Sequence, residues 1–213
     1  MTSFAGSAAR VSVLLDVRHP LAYLALGPAR ALGEELALAF DWLPLHVPPL
    51  KPPSEPAADD DRGVRHRRYR AQAIAREIEI YGASQGLVLR DFYREGDAHA
   101  AKLAWLWVRA RHRPRLPDFL TELFRAHWAR ELDPADPEAV ARVVEKLGAD
   151  GDGLRAWSEG EGRIAAEALA SELRDFGLFQ VPAFVVDDEV FYGRQHLPMI
   201  RWILGGRVGA PPC

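Results

Sequence analysis

The chain reads as an α/β protein in which a four-stranded core sheet is interrupted by an all-helical insertion. Three observations carry that reading. A strand–helix–strand unit opens the chain, helical periodicity runs from Asp97 to Phe176, and a β-hairpin with one short helix closes it.

The opening unit begins with Val11–Val17, a β-branched and leucine run of strand type. Pro20–Glu35 follows as a helix, with Pro20 at the first helical position, where a missing N–H costs nothing. Pro28 lies inside that helix and predicts a kink, since it removes one backbone bond. Ala37–Leu43 is a second apolar run, and strand, helix and strand in this order predict a right-handed parallel crossover. Pro44 to Pro56 holds six prolines in thirteen residues and reads as an extended connector. It leads into the acidic run Asp59–Asp61. A long helix then opens on Arg62, Arg65, Arg67, Arg68 and Arg70. Its apolar positions Ala71, Ile74, Ile78 and Tyr81 follow three-four spacing, which puts the arginines mostly on the wet face.

Four helical stripes follow. They are Leu103, Leu106, Trp107 and Ala110; Leu120, Leu123, Phe124, His127 and Trp128; Val140, Val143, Val144 and Leu147; and Ile164, Ala168, Leu169 and Phe176. Pro114, Pro117, Asp133-Pro134, Pro137 and Gly148–Gly153 punctuate them. The aromatic content reads as core. Ala183–Val186 and Val190–Tyr192 form a hairpin about Asp187-Asp188. Leu197–Leu204 is the last helix, with Leu197, Ile200, Ile203 and Leu204 inward, and the tail beyond is expected to fray.

Composition excludes several classes of function. A net charge of −3 gives no basic field for nucleic acid. No run of eighteen apolar residues is present, and no basic segment followed by an apolar one opens the chain. The expectation is a cytoplasmic protein with neither membrane nor nucleic-acid partner. The single cysteine, Cys213, allows no intramolecular disulfide and no Cys-x-x-Cys metal site, and it reads as a solvated thiol.

The element order is that of a thioredoxin fold with a helical domain in its middle. It divides the chain into 1–55 with 177–213, and an insertion at 56–176. Asp16-Val17-Arg18-His19-Pro20-Leu21-Ala22-Tyr23-Leu24, Leu123-Phe124-Arg125-Ala126-His127-Trp128, and Phe176 to Asp187 with Phe191-Tyr192-Gly193 carry a resemblance. By these stretches the chain resembles the DsbA-like thioredoxin superfamily. Within it the likeness is to the 2-hydroxychromene-2-carboxylate isomerase and kappa-class glutathione transferase branch.

His19 sits at the positive end of the first helix, where exposed N–H groups favour anions and oxyanions. Redox members of the superfamily carry Cys-x-x-Cys there, so dithiol chemistry is ruled out. The isomerase branch has serine where His19 stands. A neutral imidazole donates one hydrogen bond or accepts a proton, and the helix dipole disfavours its cation. The residues alone leave the Val181-Pro182 bond open between cis and trans. The resemblance implies cis, with the Val181 backbone turned to pair with an extended ligand such as glutathione. It also implies that Gln195 stands where the branch has an acid for the ammonium group of glutathione. Pro20 and Tyr23 are expected to border the ligand, and Lys51 to reach the cleft from the connector and meet a ligand carboxylate. Arg194 is placed to attract a carboxylate. Tyr23, Trp42 or Trp105 would flank a conjugated or aromatic substrate.

Two functions stay open. One is a glutathione- or thiol-dependent isomerase or transferase. The other is a redox-inactive binding protein for an extended peptide or partner loop. Family habit adds a homodimer. His19, His46, His99 and His196 lack local metal-ligand spacing, so no metal is assigned.

Overall fold

At the centre lies a four-stranded sheet in the order β2-β1-β3-β4, in a computed structural model that describes Phe4, Gly6 and residues 9–212. β1 (Val11–Leu15) pairs in parallel with β2 (Asp41–Pro44) and antiparallel with β3 (Ala183–Val186), which pairs antiparallel with β4 (Glu189–Tyr192). Every residue of β1, β2 and β3 is buried, as an apolar run between two covering layers requires. Asp187 and Asp188 both take positive φ (47° and 77°), the type I′ geometry that matches strand twist. Arg10 clamps the turn through a 2.6 Å contact with Asp187.

α1 (Pro20–Glu35) runs through Pro28 without interruption. It ends in a Schellman arrangement, with the Leu38 amide donating to Gly33 O (2.9 Å), the Ala37 amide to Glu34 O, and Ala37 at φ 50°. That reversal consumes Ala37 and Leu38, so β2 starts at Asp41 and not at Ala37. β1 likewise stops at Leu15, because Asp16 turns its carboxylate back to the Arg18 amide (3.0 Å).

Between β2 and β3 lie α2 (Arg62–Ser84), α3 (His99–Arg111), α4 (Leu116–Trp128), α5 (Pro137–Lys146), α6 (Gly151–Glu159) and α7 (Glu161–Asp175). α3 is the hub. It packs on α4, α5, α6, α7 and β2. Leu103 through Val108 are all buried, so the middle of this helix is enclosed on every face and its predicted stripe was too narrow there. Ala110, assigned to that stripe, is exposed. In α7 the buried set is Gly162, Ala166, Leu169 and Leu173, whereas Ile164 is 70% exposed and Ala168 is also out. Alanines on both faces make either register read as amphipathic, and packing chose the other one.

α2 departs from its reading at two points. Tyr81 is exposed, and Arg68 is buried against Asp60 although its neighbouring arginines face solvent. Asp61 caps the helix by accepting from the Val64 amide (2.8 Å). The last helix, α8 (Leu197–Leu204), buries Ile200 fully and its other apolar residues in part. The tail does not simply fray: Trp202 Nε1 donates to Gly209 O (3.2 Å) and ties it back. Cys213 lies outside the described residues. No described helix is long and apolar enough to cross a membrane.

Composition hid one buried ion pair. Asp41, 1% exposed, receives Arg109 Nε and Nη2 at 2.8 Å each, and the same guanidinium donates to Phe4 O. This pair fastens β2 to α3. Asp41→Ala strands the Arg109 charge and is expected to cost roughly 3–5 kcal/mol in urea denaturation. Asp41→Leu with Arg109→Met removes both charges and should cost far less. A single mutant as stable as the parent would show that the pair does not hold the two units together.

Candidate functional site

Sheet register gathers three chain segments at one end of the molecule. Leu15 stands opposite Pro44 on the parallel side, and Leu14 opposite Ala183 on the antiparallel side. The residues just after β1, just after β2 and just before β3 therefore meet there. These are Asp16 to His19, Leu45 to Val47, and Val181-Pro182.

An ion pair organises this end. The buried Asp16 carboxylate accepts from Arg18 Nε (3.0 Å), Arg18 Nη2 (2.6 Å) and the Val47 amide (3.1 Å). Arg18 also donates to Gly96 O (2.8 Å), Val47 O (3.1 Å) and the His46 ring (2.9 Å to Nδ1). One guanidinium thus ties the β1 turn to the loop after β2 and to the loop before α3.

His19 follows as the N-cap of α1. Its amide donates to Asp16 O (3.0 Å) and its carbonyl accepts from Ala22 and Tyr23. Pro20 is buried behind it. The imidazole makes no cap hydrogen bond, and its Nδ1 is buried without a partner. Burial chiefly, and the Arg18 charge after it, hold this histidine below its usual pKa, while Asp16 pulls the other way. The direction agrees with the neutral imidazole expected at a helix N-terminus, but burial is the leading cause.

Across the sheet end, the Val181-Pro182 bond is cis and both residues are buried. Gly193, at φ 97°, donates its amide to Pro182 O (2.8 Å). Glycine tolerates that backbone, and the bond lays the following turn Arg194–His196 beside Pro182. Gln195 is exposed there, its amide nitrogen donating to Tyr192 O (3.1 Å).

Other expected site residues have different duties. The Arg194 guanidinium stacks 3.3 Å from the Tyr81 ring centre and donates to Glu77 Oε1 (3.3 Å), so it clamps α2 in place of an incoming carboxylate. Tyr23 is buried with its ring against Phe124 (5.7 Å), and Trp42 lies in the core accepting from Trp105 Nε1 (3.0 Å). Trp42 borders a cavity with Phe40 and Leu116, and His19 is not among that cavity's lining residues. Lys51 is exposed on the connector. His46 and His99 line one cavity whose lining includes neither His19 nor His196. Among the described residues no group of three or more His, Cys, Asp or Glu is placed to hold a metal ion.

Sequence reasoning missed two arginines. Besides Arg18, Arg94 donates from Nη2 to the ring of the buried His127 (2.9 Å to Nδ1) and to its carbonyl (3.3 Å). Both face a cavity of about 430 Å³ bounded by Gly96, Arg130 and Pro134. No local motif marks Arg94, whose partner His127 is 33 residues away, and Arg18, although two residues from Asp16, gains its role from Val47 and Gly96 far along the chain.

The comparisons with known proteins agree with this geometry. A family model described as DSBA-like thioredoxin domain matches residues 10–205. The chain belongs to that family. A curated relative, 2-hydroxychromene-2-carboxylate isomerase of Sphingobium xenophagum, is 22% identical over 198 residues, 90% of this chain and 95% of that protein. A solved 2-hydroxychromene-2-carboxylate isomerase shares the fold with a TM-score of 0.70 at 16% identity, covering 92% of this chain and 95% of that one. The cytosolic disulfide reductase DsbM from Pseudomonas aeruginosa, solved with GSH, does so at 0.60 and 18%, covering 93% and 98%.

Burial first and then Arg94 push the His127 pKa down to about 4. Between that value and the ordinary imidazole pKa near 6.5, the unfolded chain binds the extra proton. Stability from this residue is therefore complete above about pH 6.5 and lost as pH falls, by roughly 3 kcal/mol across the window. His127→Gln keeps an acceptor for Arg94 and should flatten that part of the acid dependence. Denaturant midpoints at pH 7 and pH 4.5 test this, and parallel losses in both proteins would refute it.

Proposed function

We propose that the chain is a glutathione- or small-thiol-dependent isomerase or transferase acting on a small conjugated or aromatic substrate. The observation that carries this reading is His19, with an unpartnered buried Nδ1 at the N-cap of α1. A thiol lying at that helix start gives its proton to the neutral imidazole. The helix N-terminus stabilises the thiolate that results. Thiolate addition to a conjugated double bond leaves a single bond that rotates. Elimination then restores the double bond, and His19 returns its proton to the sulfur.

Three further points support the reading. Among the described residues, no hydrogen bond engages the Val181 backbone, which leaves both groups for the cysteinyl part of a glutathione-like ligand. The chain's only cysteine, Cys213, is far in sequence from the helix start, so a Cys-x-x-Cys dithiol is absent there. The relative that spans this chain is named as an isomerase, and a structure of the same fold was solved with GSH.

Calorimetric titration with glutathione, run beside a screen for thiol-dependent turnover, tests the proposal. Binding without turnover favours the redox-inactive holder of an extended peptide. Neither heat nor turnover with any small thiol at millimolar concentration would sink both thiol readings. His19→Ala should keep the far-ultraviolet spectrum and thermal midpoint of the parent yet lower turnover by roughly a hundredfold or more. Unchanged turnover removes His19 from the mechanism. Gln195→Asp restores a charge toward an ammonium group and should tighten glutathione binding by about tenfold. Equal or weaker affinity would place the amino group elsewhere.

A further inference from the structure

The chain carries 27 basic residues, of which only Lys51, Lys102 and Lys146 are lysines. Arginine makes the ion pairs that hold the fold, those of Arg18, Arg68, Arg109 and Arg194 among them. A guanidinium stays charged at any working pH, whereas an amine can lose its proton and attack. Lysine at an enclosed position is thus a distinct chemical choice in this chain. Lys51 and Lys146 are exposed. Lys102 is not.

Lys102, near the start of α3, is half-buried and lines a cavity of about 120 Å³ beneath the ends of β1 and β2. Leu15, Pro44 and Trp105 give that cavity apolar walls, and His46 and His99 enter it. Among the described residues, no hydrogen bond or ion pair engages the Lys102 side chain. Burial, and after it the Arg174 charge, hold its ammonium below the usual lysine pKa, with Glu167 opposing. Desolvation beside a second cation is a recognised way of activating an amine.

His46 supplies the complementary group. Arg18 Nη2 lies 2.9 Å from its Nδ1 and 3.4 Å from its Nε2. Burial, then the charges of Arg18 and Lys102, keep it neutral, with Asp16 and Asp97 acting against them. A neutral imidazole carries one N–H, which polarises a carbonyl oxygen.

We propose that Lys102 is an amine nucleophile that forms a reversible iminium with a small aldehyde or ketone in this cavity, the N–H of a neutral His46 polarising the carbonyl oxygen. Nζ, after giving one proton to solvent, bonds to the carbonyl carbon. The carbonyl oxygen then leaves as water, so two of the three ammonium hydrogens depart with it and the iminium keeps the positive charge. The lining favours a neutral carbonyl compound over an anion. Asp16 and Asp97 both contribute carboxylates to it, and Asp97 Oδ1 already accepts from the Ala98 and His99 amides at the start of α3. His19, Val181 and Pro182 are not part of this site, so it stands apart from the thiol chemistry.

The test is reductive trapping. The full chain is treated with benzaldehyde and cyanoborohydride at pH 7, and the adducts are located by peptide mass spectrometry, with the N-terminal amine resolved separately. Lys102 should be labelled several-fold faster than Lys51 and Lys146, although both of those are the more exposed. His46→Gln should slow labelling at Lys102 several-fold and leave the other two unchanged. Labelling that follows exposure, with Lys51 and Lys146 ahead, overturns the proposal. So does benzoate that binds the parent but not Lys102→Met while no aldehyde adduct forms at Lys102, because the cavity would then be a plain anion site. The peptide map on the parent decides between these outcomes even where a variant fails to fold.

Discussion

The paired side chains of Asp16 and Arg18 are the constraint on which the functional end depends. Each is nearly enclosed, with side-chain exposures of 5% and 10%, and each would be costly there without the other. Their hydrogen bonds reach Val47 after β2 and Gly96 before α3, so three loops from distant parts of the chain share one anchor. The anchor has electrostatic consequences as well. The Arg18 charge opposes protonation of both His19 and His46. A single buried guanidinium thus bears on two imidazoles at one sheet end, His19 partly buried and His46 exposed.

The helical insertion is held to the sheet by different means. The middle of α3 is enclosed on every side and serves as the core of its own block, leaving polar contacts to fix its relation to β2. Asp41 and Arg109 supply one, and the Trp105 indole donating to Trp42 O supplies another. Apolar packing is tolerant of small slides, whereas a bidentate ion pair and an indole hydrogen bond are directional. That difference matters at the far end of α3, where Lys102 must face the loop bearing His46. A shift of the helix by one turn would carry that amine about 5 Å away.

The two chemistries proposed for this end use separate elements. His19 and the Val181 backbone belong to the start of α1 and the strand opposite it. Lys102 and His46 lie between the β2 loop and α3. Membership of the DSBA-like thioredoxin domain family accounts for the first arrangement as architecture. The second is a product of which residues this chain places on its insertion. Arg194 illustrates the same point in reverse: a residue beside the Pro182 turn is spent on Tyr81 and Glu77, and so locks α2 to the sheet domain.

Much of this was legible without coordinates. The bounds of α1 and α8 and the hairpin followed from Pro20, from the Asp187-Asp188 turn and from apolar periodicity, because these are local preferences written within a few residues. His19 at a helix start was equally local. The face buried by α7, the burial of Arg68, the occupied state of Arg194 and the networks of Arg18, Asp41 and His127 were not legible. Each depends on a partner far along the chain, brought near by sheet register or helix packing, and a charged residue carries no mark of whether its partner will be water or a buried carboxylate. Sequence alone determined most of the elements, their order and the histidine at the helix start, but not α6, which opens at Gly151 inside a glycine run that reads as a break. Tertiary structure decided which charges are enclosed, and therefore which amine lines a cavity.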